Sequence, residues 1–123
     1  MADNEFGIYL RKLRSTRQPP VTQETLALAV GRNKMTISQF EQGKNAPPRG
    51  ELLDKIIRAL KLSEDEEKQL RFLAAEQRKT VPGDIEEYFF RNPIICKAIR
   101  AAQKNNAGDA EWEKIIGMFG GEI

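Results

Sequence analysis

A chain of 123 residues with 40% hydrophobic residues can form one domain with an apolar core. The absence of histidine and the single cysteine, Cys96, exclude zinc fingers, histidine-based metal sites, Cys–His catalysis and an internal disulfide. The net charge is +2, but residues 1–50 carry 8 Lys and Arg against 4 Asp and Glu, a basic bias typical of DNA binding yet too modest to indicate it alone.

The first predicted helix covers residues 4–17, with Asp3 or Asn4 as its cap. One face carries apolar residues at helical spacing: Phe6, Tyr9, Leu10 and Leu13. The remaining surface is basic and contains Arg11, Lys12, Arg14 and Arg17. The helix must end before Pro19 and Pro20, because proline cannot continue it.

The next stretch, from Thr22 to Lys44, predicts two short helices joined by a glycine turn. Thr22 caps a helix that runs to Val30, and Gly31 supplies the left-handed residue that ends it. Ala27 is small enough for the second helix to cross closely, and Gly31 permits the sharp turn.

The second of these helices begins after the cap Asn33 and runs from Lys34 to about Glu41. Its inward side chains are Ile37 and Phe40. The outer face carries a cation, a flexible apolar residue and two hydrogen-bonding residues: Lys34, Met35, Thr36 and Gln39. Such a face can enter a DNA major groove and contact base edges.

The motif resembles the helix-turn-helix of the xenobiotic-response-element (XRE) and lambda-type phage repressor family. The matching residues are Gln23, Ala27, Gly31, Ile37, Phe40, Glu41 and Gly43. Arg32 departs from the apolar residue that is frequent in the family's turn, and Phe40 is larger than the usual Ile or Leu. The resemblance implies a five-helix, lambda-repressor-like DNA-binding domain. It also implies an ion pair between Arg14 and Glu41 that joins the first helix to the third.

The side-chain chemistry of the outer face predicts the base contacts, and the resemblance implies the phosphate contacts. Lys34 suits guanine, Gln39 suits adenine, and Met35 or the methyl group of Thr36 suits a thymine methyl. Gln23, beside a helix N-terminus, contacts a phosphate and supports the start of the recognition helix. The full set of expected phosphate-binding residues is Gln23, Asn33, Lys44, Arg49 and either Arg11 or Arg32.

Two further helices complete the predicted DNA-binding domain, residues 1–80. Helix four covers Gly50 to Leu60, with its apolar face at Leu52, Leu53, Ile56, Ile57 and Leu60. Ser63 and Glu66 form a capping box that opens a fifth helix to about Arg78. Its buried side is predicted at Leu70, Leu73 and Ala74, with Phe72 or Ala75 at the margin. The acidic residues 64–66 are interpreted as a solvated first turn and not as a metal site.

Residues 81–123 are predicted to form a helical C-terminal extension. Its three helices run from Asp84 to about Arg91, from Pro93, after the cap Asn92, to about Lys104, and from the cap Asp109 to Gly120. Cys96 lies in an apolar run and is expected in a core.

This extension has two alternative roles. It either folds back on the fifth helix to enlarge one core, or it exposes an apolar surface to a second copy or a partner protein. A mixture of the two is favoured. A looser resemblance, carried by Ile99, Arg100, Ala101 and Trp112, is to the tails of antitoxin-like XRE proteins.

Together these patterns predict an all-α, sequence-specific double-stranded DNA-binding regulator. The expected form is a homodimeric repressor on a near-palindromic operator with half-sites ~34 Å apart. The alternative is an antitoxin that masks a toxin through its C-terminal helices and autoregulates its operon. No enzyme activity, cofactor or metal is expected, because the chain lacks the residue constellations of a catalytic site. No signal or membrane-spanning segment is apparent, so a cytoplasmic location is expected.

Overall fold

The computed structural model describes residues 4–121, and within that range it contains eight α-helices and no strand. The helices are α1 Glu5–Ser15, α2 Gln23–Val30, α3 Lys34–Gln42, α4 Gly50–Leu60, α5 Glu64–Arg78, α6 Gly83–Arg91, α7 Ile94–Lys104 and α8 Asp109–Met118. The all-α prediction is confirmed. Every predicted helix is present, and the ends that the sequence indicated agree within about two residues, the usual uncertainty of helix ends.

Local hydrogen bonds explain where three of these helices begin. The Thr22 hydroxyl accepts the backbone N–H of Thr25 at 3.0 Å at the start of α2. At the start of α5, the Ser63 hydroxyl accepts the Glu66 N–H at 3.1 Å, and the Glu66 carboxylate accepts the Ser63 N–H at 2.9 Å. Asn33 caps α3 in the same way as Thr22 caps α2. These predicted caps are confirmed, and each satisfies a backbone donor that the helix leaves free.

The other predicted caps make no capping hydrogen bond or fall outside the described residues. Asn4 occupies the N-cap position of α1, as predicted, but its side chain makes no capping hydrogen bond and its amide donates to the Glu41 carbonyl oxygen at 2.8 Å. Asp3, the alternative cap, lies outside residues 4–121. Asn92 donates to the carbonyl of Tyr88 at 2.8 Å, so its amide satisfies a free carbonyl near the end of α6 and Pro93 occupies the cap position of α7.

The last helix begins one residue earlier than its predicted cap allows. Gly108, in an extended conformation, is the N-cap residue of α8, and Asp109 is the first helical residue. The Glu111 carboxylate accepts the Gly108 N–H at 3.3 Å. The acceptor for this free donor therefore comes from inside the helix, and the Asp109 side chain is not needed as a cap.

The described residues divide into two compact units, with the boundary between residues 87 and 88. The first unit contains a core of buried side chains drawn from α1 to α5: Phe6, Leu10, Leu13, Leu26, Ala27, Val30, Ile37, Phe40, Leu53, Ile56, Ile57, Leu60, Leu70, Leu73 and Ala74. Ala75 is also buried, whereas Phe72 is 52% exposed, and Tyr9 and Leu52 pack against the core as partly buried residues. This core fixes α3 from one side only.

No residue of α6, α7 or α8 is buried. Cys96 is accordingly only partly buried, so its expected core position is wrong. Composition showed an apolar neighbourhood, but three short helices do not enclose it. They leave large apolar side chains exposed, including Tyr88, Phe90, Ile94, Ile99, Met118 and Phe119. Within residues 4–121, no helix combines the length and apolar character that a membrane crossing requires.

Candidate nucleic-acid interface

The recognition helix α3 has one buried side and one free side. Ile37 is fully buried and Phe40 is 7% exposed, so both anchor the helix in the core. Lys34 and Met35 are exposed, and Thr36 and Gln39 are partly exposed. All four predicted base-reading residues therefore lie outside the core, on the side of α3 that is open to solvent.

Two residues of the free side were missed by the sequence analysis. Ser38 is partly exposed and Gln42 is exposed, and the Gln42 amide donates to the Ser38 hydroxyl at 3.0 Å. A helical repeat of 100° per residue places Gln42 beside Met35 on the outer face and Ser38 at the edge of that face, next to Lys34. Helical periodicity in the sequence was the signal that would have identified them.

Asn33 and Thr36 use part of their polar groups inside the protein. The Asn33 side-chain oxygen accepts both the backbone N–H of Thr36, at 2.9 Å, and the Thr36 hydroxyl, at 3.0 Å. Asn33 keeps its two amide N–H donors, which can bind a phosphate oxygen. Because the Thr36 hydroxyl donates its hydrogen bond to Asn33, only the methyl group and an oxygen lone pair of Thr36 can contact a base.

A buried ion pair ties α3 to α1. The Arg14 guanidinium makes two parallel bonds to the Glu41 carboxylate, from Nε to Oε2 at 2.8 Å and from Nη2 to Oε1 at 3.0 Å. The exposed fractions of the two side chains are 13% and 4%. Arg14 also donates to the Val21 carbonyl oxygen at 3.0 Å. The predicted Arg14–Glu41 pair is present, and its two-pronged geometry fixes both side chains.

Gln23 joins the same network from the start of α2. Its amide donates to Glu41 Oε1 at 3.0 Å. The second N–H of that amide has no partner among the described residues and can donate to a phosphate oxygen. Gln23 thus bridges α2 to the end of α3, whereas the sequence analysis expected it to support the start of that helix.

Close approach of α1 to α3 depends on a glycine inside α1. A Cβ atom at Gly7 would lie 2.5 Å from the carbonyl oxygens of Phe40 and Glu41. Backbone atoms at that distance exclude any side chain. The signal in the sequence was a glycine in the interior of a predicted helix. Glycine is unfavourable there, so its presence indicates a close packing contact.

An open depression brings together residues from α1, α2 and α3. It is lined by basic, acidic and uncharged polar residues: Arg11, Arg14, Thr22, Gln23, Glu24, Lys34, Ser38 and Gln42. The Arg11 guanidinium and the Gln23 amide, which lies next to the N-terminus of α2, can both donate to a phosphate group here. Lys34 also lies 3.9 Å from the carboxylate of Glu24, and both side chains are more than half exposed, so this contact is weak.

The loop that follows α3 carries two more predicted phosphate-binding residues. Lys44 and Arg49 are exposed at either end of it, whereas Pro47 and Pro48 between them are buried. Arg78 of α5 donates from Nε to the Pro47 carbonyl oxygen. The loop is therefore anchored in its middle and presents its charged ends to solvent.

Arg32 is separate from both groups. It is exposed in the turn between α2 and α3, where its guanidinium donates to the Gly31 carbonyl oxygen at 3.1 Å. Gly31 itself is left-handed, with φ of 73°, as the predicted turn requires. Arg32 is not part of the lining of the depression, and it extends the basic surface beyond it.

A family model for the helix-turn-helix domain matches residues 5–70, which is more than half of the chain. The match covers α1 to α4 and the first half of α5, and thus the motif, the Arg14–Glu41 pair and the anchored loop. No curated protein and no solved structure gave a significant match to the chain.

Proposed function

Because the chain belongs to the helix-turn-helix domain family, we propose that it is a sequence-specific transcriptional regulator of the XRE and lambda-type repressor kind. The observation that carries this proposal is the state of α3: its inner side is locked by buried Ile37 and Phe40, and its outer side is free. A rigid helix with a free polar face fits the major groove. Repression needs no further device, because a protein seated on an operator excludes others from the same DNA.

The contacts to bases come from the outer face of α3. Lys34 donates to guanine O6 or N7, and Met35 packs on a thymine methyl. Thr36 presents its methyl group, since its hydroxyl proton is used on Asn33. Gln39 contacts a base through its carboxamide. These four side chains determine which sequence is bound.

The contacts to phosphates come from three places. Arg11 and Gln23 line the depression between α1, α2 and α3. Lys44 and Arg49 flank the anchored loop, and Asn33 and Arg32 add donors at the turn. These contacts set the register of the protein on DNA and make its affinity fall with salt.

Homodimerisation on a near-palindromic operator, with half-sites ~34 Å apart, completes the proposal. The exposed apolar residues of α7 and α8 support an assembly role for the C-terminal unit, because large apolar surfaces on small proteins commonly mark interaction sites. The proposal includes no catalytic activity, cofactor or metal, and it locates the protein with its DNA in the cytoplasm.

The same exposed apolar residues support the alternative function, an antitoxin that masks a toxin and autoregulates its operon. The two functions differ in what the C-terminal unit binds. Sedimentation of the purified full-length chain separates them: a dimer at micromolar concentration favours the regulator. A monomer that forms a complex only with the product of an adjacent gene favours the antitoxin.

The recognition face is tested by selecting bound sequences from random double-stranded DNA and then measuring variants on the selected site. Gln39→Ala is expected to cost ~1–3 kcal/mol on that site and to relax selectivity at one base pair. Lys44→Ala is the matched control: it weakens binding to all sequences alike and lowers the salt slope by about 1. Unchanged affinity and selectivity in Gln39→Ala would contradict the assignment of α3 as the reading helix.

A further inference from the structure

A side chain outside the recognition helix holds one of its base-reading residues. Asn45, in the loop after α3, donates from its side-chain amide to Gln39 Oε1 at 2.8 Å. The backbone N–H groups of Lys44 and Asn45 both donate to the Gln39 carbonyl oxygen, at 3.0 and 3.4 Å. Asn45 is thus attached to Gln39 through both backbone and side chain.

The position of Asn45 is itself fixed. Gly43, with φ of 75°, turns the chain directly after α3, and two residues beyond Asn45 the chain enters the buried pair Pro47 and Pro48. Arg78 donates to the Pro47 carbonyl oxygen and secures that end of the loop. A donor on an anchored loop orients its acceptor more firmly than a donor on a freely moving chain does.

The orientation of the Gln39 carboxamide decides which base it matches. A carboxamide has an acceptor oxygen and an NH₂ group with two donors. Adenine presents one donor and one acceptor in the major groove and pairs with both halves of a freely turning glutamine, whereas guanine presents two acceptors. With its oxygen directed to Asn45, Gln39 offers mainly its two N–H donors, which match guanine O6 and N7.

We propose that Asn45 is a specificity-determining positioning residue: it holds the oxygen of Gln39 toward the loop, so that Gln39 selects guanine over adenine. This inference rests on the proposed function, because it requires that Gln39 faces a base. It replaces the adenine preference that glutamine alone would suggest. Asn45 itself acts through Gln39.

The test compares base preferences of the full-length protein and four variants on DNA that carries each of the four base pairs at one position. Gln39→Ala first identifies the position that depends on Gln39. There the parent is expected to prefer guanine, and Asn45→Ala is expected to reduce the guanine-to-adenine affinity ratio by about threefold to tenfold, the range of one net hydrogen bond.

Asn45→Asp is expected to reverse the direction of the hydrogen bond to Gln39 and thereby the base preference. Aspartate cannot donate a hydrogen bond but can accept one from the Gln39 NH₂ group, which turns the Gln39 oxygen outward. The added negative charge weakens binding to every sequence, so only the ratio between bases within this variant is compared. Its preference is expected to move from guanine toward a base with a donor in the major groove, adenine or cytosine.

The possible outcomes distinguish a failure of this inference from a failure of the proposed function. If Gln39→Ala alters no position, Gln39 does not read a base, and the recognition assignment and the inference are both wrong. If Gln39→Ala alters a position where the parent prefers any base other than guanine, the inference alone is wrong. It is equally wrong if Asn45→Ala keeps the parental ratio there. Lys44→Ala is the control that changes a neighbouring loop residue, and it should keep that ratio.

Discussion

At the scale of single residues, the Glu41 side chain connects three helices of the candidate interface. It accepts hydrogen bonds from Arg14 and Gln23 while only 4% of its side chain is exposed. Its oxygens thereby join α1 and the start of α2 to the end of α3. A buried carboxylate of this kind needs its partner, since an isolated charge in the interior is far more costly than the intact pair is stabilising.

Glu41→Ala is therefore expected to destabilise the first unit by ~3–5 kcal/mol, because it leaves the Arg14 guanidinium buried without a counter-charge. The double variant Arg14→Met with Glu41→Leu should be less destabilised than Glu41→Ala, since it removes both charges and fills the space with apolar atoms. Urea denaturation followed by circular dichroism measures both.

The exposed pair Lys68–Glu64 is the matched control for the buried pair. Glu64→Ala should change the unfolding free energy by less than ~1 kcal/mol. If Glu41→Ala also lowered the unfolding free energy by less than ~1 kcal/mol, the buried pair would not be holding α1 and α3 together.

At the scale of helices, the approach of α1 to α3 has a steric prediction of its own. Gly7→Ala gains ~0.5–1 kcal/mol of helix propensity, yet its new methyl group meets the Phe40 and Glu41 carbonyl oxygens at 2.5 Å. Overpacking of this kind costs ~1–3 kcal/mol, so the net effect is destabilising and α3 is displaced. Gly83→Ala is the control, because a Cβ there has no neighbour within 4 Å. Denaturation midpoints should fall for Gly7→Ala and stay nearly constant for Gly83→Ala.

A second link between helices gives a prediction about pH. Arg17, just beyond α1, pairs with Glu66 of α5 through two bonds of 2.7 and 3.1 Å. This hydrogen bonding, together with the Ser63 N–H, lowers the pKa of Glu66 from 4.5 to about 2. Because the folded protein binds this proton less readily than the unfolded chain, the stabilisation is complete above pH 4.5 and is lost as the pH falls toward 2.

The isosteric variant Glu66→Gln tests that link, because glutamine can still accept the Ser63 N–H but carries no charge. Its melting temperature should lie below that of the parent at pH 6, and the difference should shrink as the pH falls through the window from 4.5 to about 2. A difference that stays constant from pH 6 to pH 2 would mean that the Arg17–Glu66 charge pair does not contribute.

At the scale of the whole chain, the sequence predicted what depends on local patterns. Helical periodicity and the caps Thr22, Asn33 and Ser63 defined the helices, because each of these signals lies within a few residues of the feature it controls. Contacts between distant segments carried no comparable signal. The Gln23–Glu41 bond and the Gly7 approach depend on how helices cross, and the Asn45–Gln39 bond depends on a loop without periodicity.

Side chains next to helix ends were the other source of error. A free backbone N–H and a free backbone carbonyl lie within reach of both Asn4 and Asn92. Each side-chain amide donates to the carbonyl oxygen. Spacing does not distinguish these options, since both partners lie within reach of one amide. Cys96 shows the same limit for burial: its apolar neighbours were visible in the sequence, but whether other helices enclose them was not.

The last prediction concerns assembly of the full-length chain. If the C-terminal unit joins two protomers, replacing its most exposed apolar residues by serine should lower the dimer fraction. Met118 and Phe119 are 80% and 84% exposed, so their replacement disturbs no buried packing. Ile8→Ser in α1 is the matched control, because Ile8 is likewise apolar and exposed. Sedimentation should show the parent and Ile8→Ser at about twice the 14.0 kDa chain mass, and the Met118→Ser/Phe119→Ser variant closer to one chain.

The Met118→Ser/Phe119→Ser variant should also bind a palindromic operator more weakly while keeping the parental affinity for a single half-site, because its recognition helix is intact. A parental dimer that withstands these changes would assign dimerisation to another surface, and the exposed C-terminal residues would then be left to a different partner.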